Sequence, residues 1–380
     1  MMKRVLTTPD CTIGKSALSA LGERLHSLGV SKVMVVTDRG VIKAGIFEKV
    51  AHVLSEAKVT VHVYDQVQAD PSFAVVQAAA VEGKSKDIEA VIGLGGGSSI
   101  DTAKVVAALY TNHCSVRDIV GTDLLAVDPL LLIAVPTTAG TGSEATHIAI
   151  LTDEEEESKK SVISGKIIPR FAFLDPDLTL GLPPSITAAT GMDALCHAIE
   201  SYTSVNATEF SQALSLQAIR VLSANITTAF RDGANSVARE KMLFGSLIAG
   251  IAFANAGVTA VHAFAYPLGG MYHVAHGLAN ALMLPTIMRF NMSASTQRFA
   301  DVGGALVGCR EPTADGAVGR VEELQKELCL PRNLAAIGIP RDSIPRMAKD
   351  ALQNTRLLKN NPRVISLQEA QGLYQEAYSR

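Results

Sequence analysis

Residues Ala90–Leu109 read AVIGLGGGSSIDTAKVVAAL. A β-branched apolar run stops at a glycine cluster, and a helical pattern of small and apolar residues follows at once. Strand, tight turn and helix in that order form the unit from which a parallel sheet with helical crossovers is built. Gly95, Gly96 and Gly97 let a ligand approach the backbone closely. Ser98 then opens a helix whose free N–H groups carry partial positive charge. That combination suits a pyrophosphate, although the run departs from the G-x-G-x-x-G pattern because its sixth position is Ser98.

The segments on either side repeat this pattern. KVMVVTD (Lys32–Asp38) reads as a buried strand ending in a turn, and TVHVYD (Thr60–Asp65) alternates as a strand does. LLLIAVPTTAGTGSEAT (Leu130–Thr146) reads as another buried strand running into a loop of small hydroxyl residues. There Thr137, Thr138 and Thr141 offer hydrogen bonds to phosphate, ribose or a nicotinamide amide, the other reading being a plain hydroxyl turn. Two such loops after buried strands lie at the carboxyl ends of a sheet, where open α/β folds bind ligands. The usual ribose-binding acid lies about 20 residues beyond the glycines. Here the best acidic candidate, Asp38, lies upstream at the end of an earlier strand. DEEEESKK (Asp153–Lys160) reads as a solvated hairpin tip.

After Leu182-Pro183-Pro184 strand signals nearly vanish. Phe210–Phe230, Ala238–Ala256, Gly277–Phe290, Glu322–Leu328 and Ser343–Asn354 all place apolar residues at helical spacing. The expected organisation is an α/β dinucleotide-binding domain with a parallel sheet over 1–182, followed by an all-helical metal-binding and catalytic domain over 183–380.

Composition narrows the function classes. A formal net charge of −3 supplies no basic surplus for nucleic acid or an anionic membrane. The five cysteines (Cys11, Cys114, Cys196, Cys309 and Cys329) are scattered without a C-x-x-C pair, which argues against a disulfide framework and for a reducing cytoplasm. The start, MMKRVLTTPDCTIGKSA, has two early cations but no apolar core of a signal peptide. Ser246–Met271 carries no formal charge and is long enough to span a bilayer. With Asn255, His262 and Pro267 inside it and no matching second span, it reads as a helix pair at the centre of a soluble domain.

Three of the nine histidines fall in VHAFAYPLGGMYHVAHG (Val261–Gly277), an apolar setting that imidazoles tolerate only with partners. Asp193 and His197 in GMDALCHAIE share a helix face four residues apart, which suits chelation or a simple hydrogen bond. His262 is expected near the end of one helix and His276 at the start of the next, with the chain reversing at Leu268-Gly269-Gly270. The four residues would then form a one-carboxylate, three-imidazole set suited to Fe²⁺ or Zn²⁺.

GGGSSIDTAK, PTTAGTGSE, GMDALCHAIE and VHAFAYPLGGMYHVAHGLANALMLP together resemble the iron-containing (group III) alcohol dehydrogenase family, whose fold is that of dehydroquinate synthase and glycerol dehydrogenase. The resemblance covers essentially the whole chain. It implies that Asp193, His197, His262 and His276 are metal ligands, that Gly95, Gly96, Gly97 and Ser98 form the pyrophosphate loop, and that Thr137, Thr138 and Thr141 lie in a second cofactor loop. Asp38 matches the acid on the adenosine ribose, whose charge would repel a 2′-phosphate and favour NAD over NADP. Lys160 resembles a lysine at the nicotinamide end, or is a solvated hairpin cation. Asp101 faces the substrate or complements its helix N-terminus. Many relatives carry H-x-x-x-H at the third ligand; here the second histidine is replaced by Tyr266, which takes part of a proton-relay role or lines the pocket, as does His273.

The implied activity is hydride transfer between NAD(H) and a small alcohol or aldehyde, the metal acting as Lewis acid, with Phe253 or Phe264 on the apolar wall. A hydroxyacid–oxoacid transhydrogenase or a zinc-dependent polyol dehydrogenase is the alternative. A homodimer or larger assembly is expected, with the N-terminal strand a plausible pairing edge, and neither nucleic acid nor membrane as a partner.

Overall fold

The computed structural model describes residues 5–6, 9–156, 158–308 and 313–380. Lys3 and Arg4 of the N-terminal stretch, Glu157 of the hairpin run and Cys309 lie outside them. The chain divides into two compact units, one of Leu6–Gly181 and one running from Leu182 to Arg380.

The first unit carries strands β1 (Asp10–Ile13), β2 (Lys32–Val36), β3 (Thr60–Tyr64), β4 (Ala90–Gly95), β5 (Gly121–Thr122), β6 (Leu131–Pro136), β7 (Ile148–Asp153), β8 (Ser158–Ile163) and β9 (Phe171–Leu174). Its helices are α1 (Ala20–Ser27), α2 (Arg39–Lys43), α3 (Ile46–Glu56), α4 (Phe73–Ser85) and α5 (Gly97–Thr111). Six strands make one parallel sheet in the order β1-β9-β6-β4-β2-β3.

Sheet burial explains why the apolar runs look continuous. Met34, Val36 and Val91 point into one core with Ala103, Val106 and Leu109 of α5. Val33, Val35, Ile92 and Leu94 point into the opposite core with Leu21, Leu25 and Val50. Alternate residues face two different helix layers, so no position is left for a polar side chain. The register pairs Val36 with Gly93 and Gly95 with Pro136, which aligns the carboxyl ends of β2, β4 and β6. A smaller sheet, β5-β8-β7, contains the expected hairpin between β7 and β8. Its first acid is not solvated: buried Asp153 accepts from Nη1 and Nη2 of Arg117, at 2.7 and 3.1 Å.

The second unit is helical throughout: α6 (Pro184–Thr203), α7 (Glu209–Arg231), α8 (Ser236–Ala256), α9 (Ala260–Tyr272), α10 (His276–Met292), α11 (Thr296–Val307), α12 (Ala314–Glu327), α13 (Ile344–Gln353), α14 (Thr355–Leu358) and α15 (Leu367–Ser379). The long apolar stretch spans parts of α8 and α9, which meet at 106° around Gly257 and are largely buried. Among the described residues no single helix is long and apolar enough to cross a membrane.

Two expectations about the histidine segment are corrected. His262 lies in the first turn of α9, not near its end. The helix also runs on through Gly269-Gly270, and the reversal falls at residues 273–275. There the His273 N–H bonds the Gly269 carbonyl (3.0 Å) and the Val274 N–H the Leu268 carbonyl (3.2 Å), with His273 at φ 54°. Backbone closure of the last turn, rather than glycine freedom, ends the helix.

Candidate active site

The two small-residue loops of the first unit are packed against each other. Gly95 has φ +145°, and a Cβ there would lie 2.6 Å from Ser99 Oγ; one on Gly97 would lie 2.7 Å from Thr141 Cγ2. Thr138 Oγ1 stands 3.3 Å from the corresponding position on Gly96. Ser99 of α5 thus crowds Gly95, and the second loop crowds Gly96 and Gly97, leaving no room for side chains there. Gly96 caps α5 without a side chain, so the first N–H groups of this 15-residue helix, including that of Ser98, remain open to an anion.

Asp38 follows β2 and caps α2, its Oδ1 accepting the Val41 N–H at 3.0 Å. Its Oδ2 lies 3.5 Å from where a Gly95 Cβ would stand. Sheet order thus brings the upstream acid beside the glycine turn, because β2 and β4 are neighbours. Thr137 is buried and its N–H bonds the Gly95 carbonyl at 3.0 Å.

Beneath these loops lies a polar network that the sequence reading missed. Lys104 of α5 is fully buried and donates to Ser143 Oγ (2.9 Å), Thr146 Oγ1 (2.9 Å) and the Ile148 carbonyl (2.7 Å). Asp101 stands 3.5 Å from it, accepts from the Ser143 hydroxyl and takes the Ile150 N–H at 2.8 Å. Both its oxygens thus hold the second loop and the start of β7. Burial depresses the Lys104 ammonium, against the pull of Asp101 and Glu144. Burial raises the Glu144 carboxyl to about 7, opposed by its own backbone N–H and by Lys104. Lys160 pairs with Glu156 across the hairpin turn, the arrangement of a hairpin cation.

In the second unit, Asp193, His262 and His276 bring one ligand atom each within 4.8 Å of one another. Asp193 Oδ1 lies 3.9 Å from His262 Nε2 and 3.8 Å from His276 Nε2. Gly277 makes this possible. A Cβ there would lie 2.3 Å from the Ala189 carbonyl oxygen, so α10 starts directly against the backbone of α6. His197 is not among the three convergent donors. Its ring stacks on His262 at 4.7 Å and on Phe253 at 4.4 Å between centroids. Burial pushes the His197 imidazole down to about 4, which keeps a lone pair on it at neutral pH.

Asn280 offers a local test of fit. Its Nδ2 stands 2.7 Å from Asp193 Oδ1 and 3.1 Å from the Nε2 atoms of both His262 and His276. One NH₂ group with two hydrogens faces three ligand atoms, while the Asn280 carbonyl oxygen is buried without a partner. A divalent cation satisfies all three atoms together, and an N/O set without thiolate suits Fe²⁺ or Zn²⁺. Burial pushes the Asp193 carboxyl up, yet the three imidazoles outweigh it and hold the group below its ordinary value.

Glu200, also unanticipated, is buried on α6 and contacts His262 Nδ1. Burial disfavours the charged His262 ring, but Glu200 outweighs it and raises the imidazole. Cys196, Glu200 and His262 form a second cluster of ligand-type atoms. Burial raises the Cys196 thiol well above its ordinary range, so it stays protonated, and His262 Nδ1 is already engaged by Glu200.

Tyr266 lies on α9 with its ring 6.2 Å from that of His276. Burial raises its phenol, opposed by a hydrogen bond from Arg356 of α14. His273 is exposed at the left-handed end of α9. Phe264 packs against Tyr374 inside the core, the rings tilted with centroids 5.0 Å apart.

A family model described as iron-containing alcohol dehydrogenase matches residues 8–176, and one for the C-terminal part of the Fe-containing alcohol dehydrogenase family matches residues 187–378. The chain belongs to the iron-containing alcohol dehydrogenase family. Long-chain-alcohol dehydrogenase 1 of Geobacillus thermodenitrificans is 38% identical, over 99% of this chain and 97% of its own. NAD-dependent methanol dehydrogenase of Bacillus methanolicus is 34% identical, over 97% and 98%. The solved structure of a 1,3-propanediol oxidoreductase matches with a TM-score of 0.96 at 34% identity, covering 100% of both chains. As an iron-containing alcohol dehydrogenase, the chain has the parallel-sheet and helical units that the motifs led one to expect.

Proposed function

We propose that this chain is a metal-dependent, NAD(H)-linked alcohol dehydrogenase/aldehyde reductase acting on a small alcohol/aldehyde pair. The observation that carries the reading is the convergence of Asp193, His262 and His276 on one point inside an apolar helical unit. When bound, the divalent ion supplies Lewis-acid polarisation of the substrate oxygen, and NAD(H) supplies or accepts the hydride. Asp193, His262 and His276 hold the ion, with neutral His197 packed against His262 as the fourth donor. Phe253, stacked on His197, keeps that side apolar. Tyr266 lines the site beside His276.

Gly95, Gly96, Gly97 and Ser98 place the pyrophosphate on the open N-terminus of α5, while Thr137, Thr138 and Thr141 contact the rest of the dinucleotide. The Asp38 carboxylate beside Gly95 accepts from ribose hydroxyls and repels a 2′-phosphate, favouring NAD. Asp101 acts behind the loop as a support, and Lys160 stands at the hairpin. Two relatives are named for short substrates, methanol and 1,3-propanediol, and a third for long-chain alcohols. Free Cys11, Cys114, Cys196 and Cys329 accord with a reducing cytoplasm. β1, at the sheet edge, is the strand through which a homodimer would form.

The test is NADH oxidation across short aldehydes, hydroxyaldehydes and 2-oxo or semialdehyde acids, with Fe²⁺ and Zn²⁺ supplied separately. Turnover of a short aldehyde that disappears on chelation is expected. Full activity in metal-stripped protein overturns the reading.

A further inference from the structure

The two oxygens of Glu200 collect five donors. Oε1 accepts the Thr259 N–H (2.9 Å), the Thr259 hydroxyl (2.6 Å) and the Val261 N–H (2.8 Å). Oε2 takes His262 Nδ1 and, at 3.5 Å, the Cys196 thiol. An ionised carboxylate only accepts, so His262 Nδ1 must carry the hydrogen, and the lone pair of the neutral ring then lies on Nε2. We propose that Glu200 is a positioning residue for the metal, holding His262 in the tautomer whose Nε2 lone pair faces the point shared with Asp193 and His276. The inference rests on reading those three residues as metal ligands.

Glu200 has a second task, tethering the first turn of α9 through Thr259 and Val261. One substitution separates the two. In Glu200→Gln the amide oxygen stays toward Thr259 and Val261, because two of the three donors there are backbone N–H groups that cannot turn into acceptors. The amide NH₂ then faces His262 Nδ1 and Cys196 Sγ. Nδ1 is obliged to accept, the ring hydrogen moves to Nε2, and the lone pair is removed from the metal side. The helix tether survives while the ligand is switched off.

The experiment strips the full-length enzyme of metal and measures Zn²⁺ and Fe²⁺ affinity by competition with a chromogenic chelator. It compares wild type, Glu200→Gln, Glu200→Ala and His276→Ala, recording the melting temperature of each metal-free protein. Glu200→Gln is expected to bind either ion about 10- to 100-fold more weakly, with a metal-free melting temperature equal to wild type. Glu200→Ala is expected to lose both affinity and stability. Wild-type affinity in Glu200→Gln would mean that Glu200 only tethers the helix, overturning the proposal. Wild-type affinity in His276→Ala would instead overturn the ligand reading on which it rests.

Discussion

The two halves of this enzyme build their sites from different materials. The first unit uses backbone: a glycine turn, an open helix end and a threonine loop packed against them. The second uses side chains from α6, α9 and α10, gathered inside an apolar helical unit and tuned by buried neighbours. A backbone site tolerates little added bulk but shares its work among many weak donors. A side-chain site depends on each ligand and on the partners that aim it.

The largest effect should come from breaking the second site. His276→Ala removes one of three convergent donors and should cut turnover by roughly 10³-fold or more, the scale of losing metal polarisation. Metal content falls with it while NADH binding, measured by fluorescence, stays near wild type. A variant losing nucleotide affinity as well would show that the two sites are not separable.

Next in size is Lys104→Met. The substitution strands Asp101 and Glu144 without their buried cation, a change that costs about 3–5 kcal/mol. A lowered thermal midpoint with retained metal affinity is expected. An unchanged midpoint would reduce the network to ordinary core filling.

Gly97→Ala tests the backbone site directly, since its Cβ would stand 2.7 Å from Thr141 Cγ2. Displacing that loop by such an overpacked contact costs about 1–3 kcal/mol, so KM for NADH should rise by roughly 10- to 100-fold. Metal affinity should not change, in contrast with His276→Ala.

The smallest effect is a pH slope. Burial holds the Glu144 carboxyl at about 7, above its ordinary 4.5. The folded chain therefore binds this proton more tightly than the unfolded one. The associated stability is complete below pH 4.5 and is lost as pH rises through about 7. Glu144→Gln should flatten that part of the stability curve; a slope identical to wild type would place the titration elsewhere.

The difference in materials also explains what was legible in the chain. The glycine turn is contiguous, and glycines between a strand and a helix have few local explanations, so Gly95–Ser98 announced itself. Asp193 and His197 were readable because helical spacing puts them on one face, although only Asp193 joins the convergent trio. Glu200 follows His197 in the same helix, yet nothing local distinguishes it from any helical glutamate. Asn280 and Gly277 gain meaning only once α10 is set against α6. Lys104 was missed for a similar reason: only the fold shows that β7 and the second loop cover the charged pair it makes with Asp101.

The amino-acid order by itself determined the fold class, the family and the residue types of both sites. Each follows from short-range periodicity, from glycine's missing Cβ and from the chemistry of carboxylates and imidazoles. Tertiary structure alone decided where the chain reverses after α9, which three donor side chains converge, that Asp38 stands beside Gly95, and that Glu200 meets Nδ1 of His262. Those depend on strand order and on helix approach at a few ångströms, set by buried packing between residues far apart in the chain.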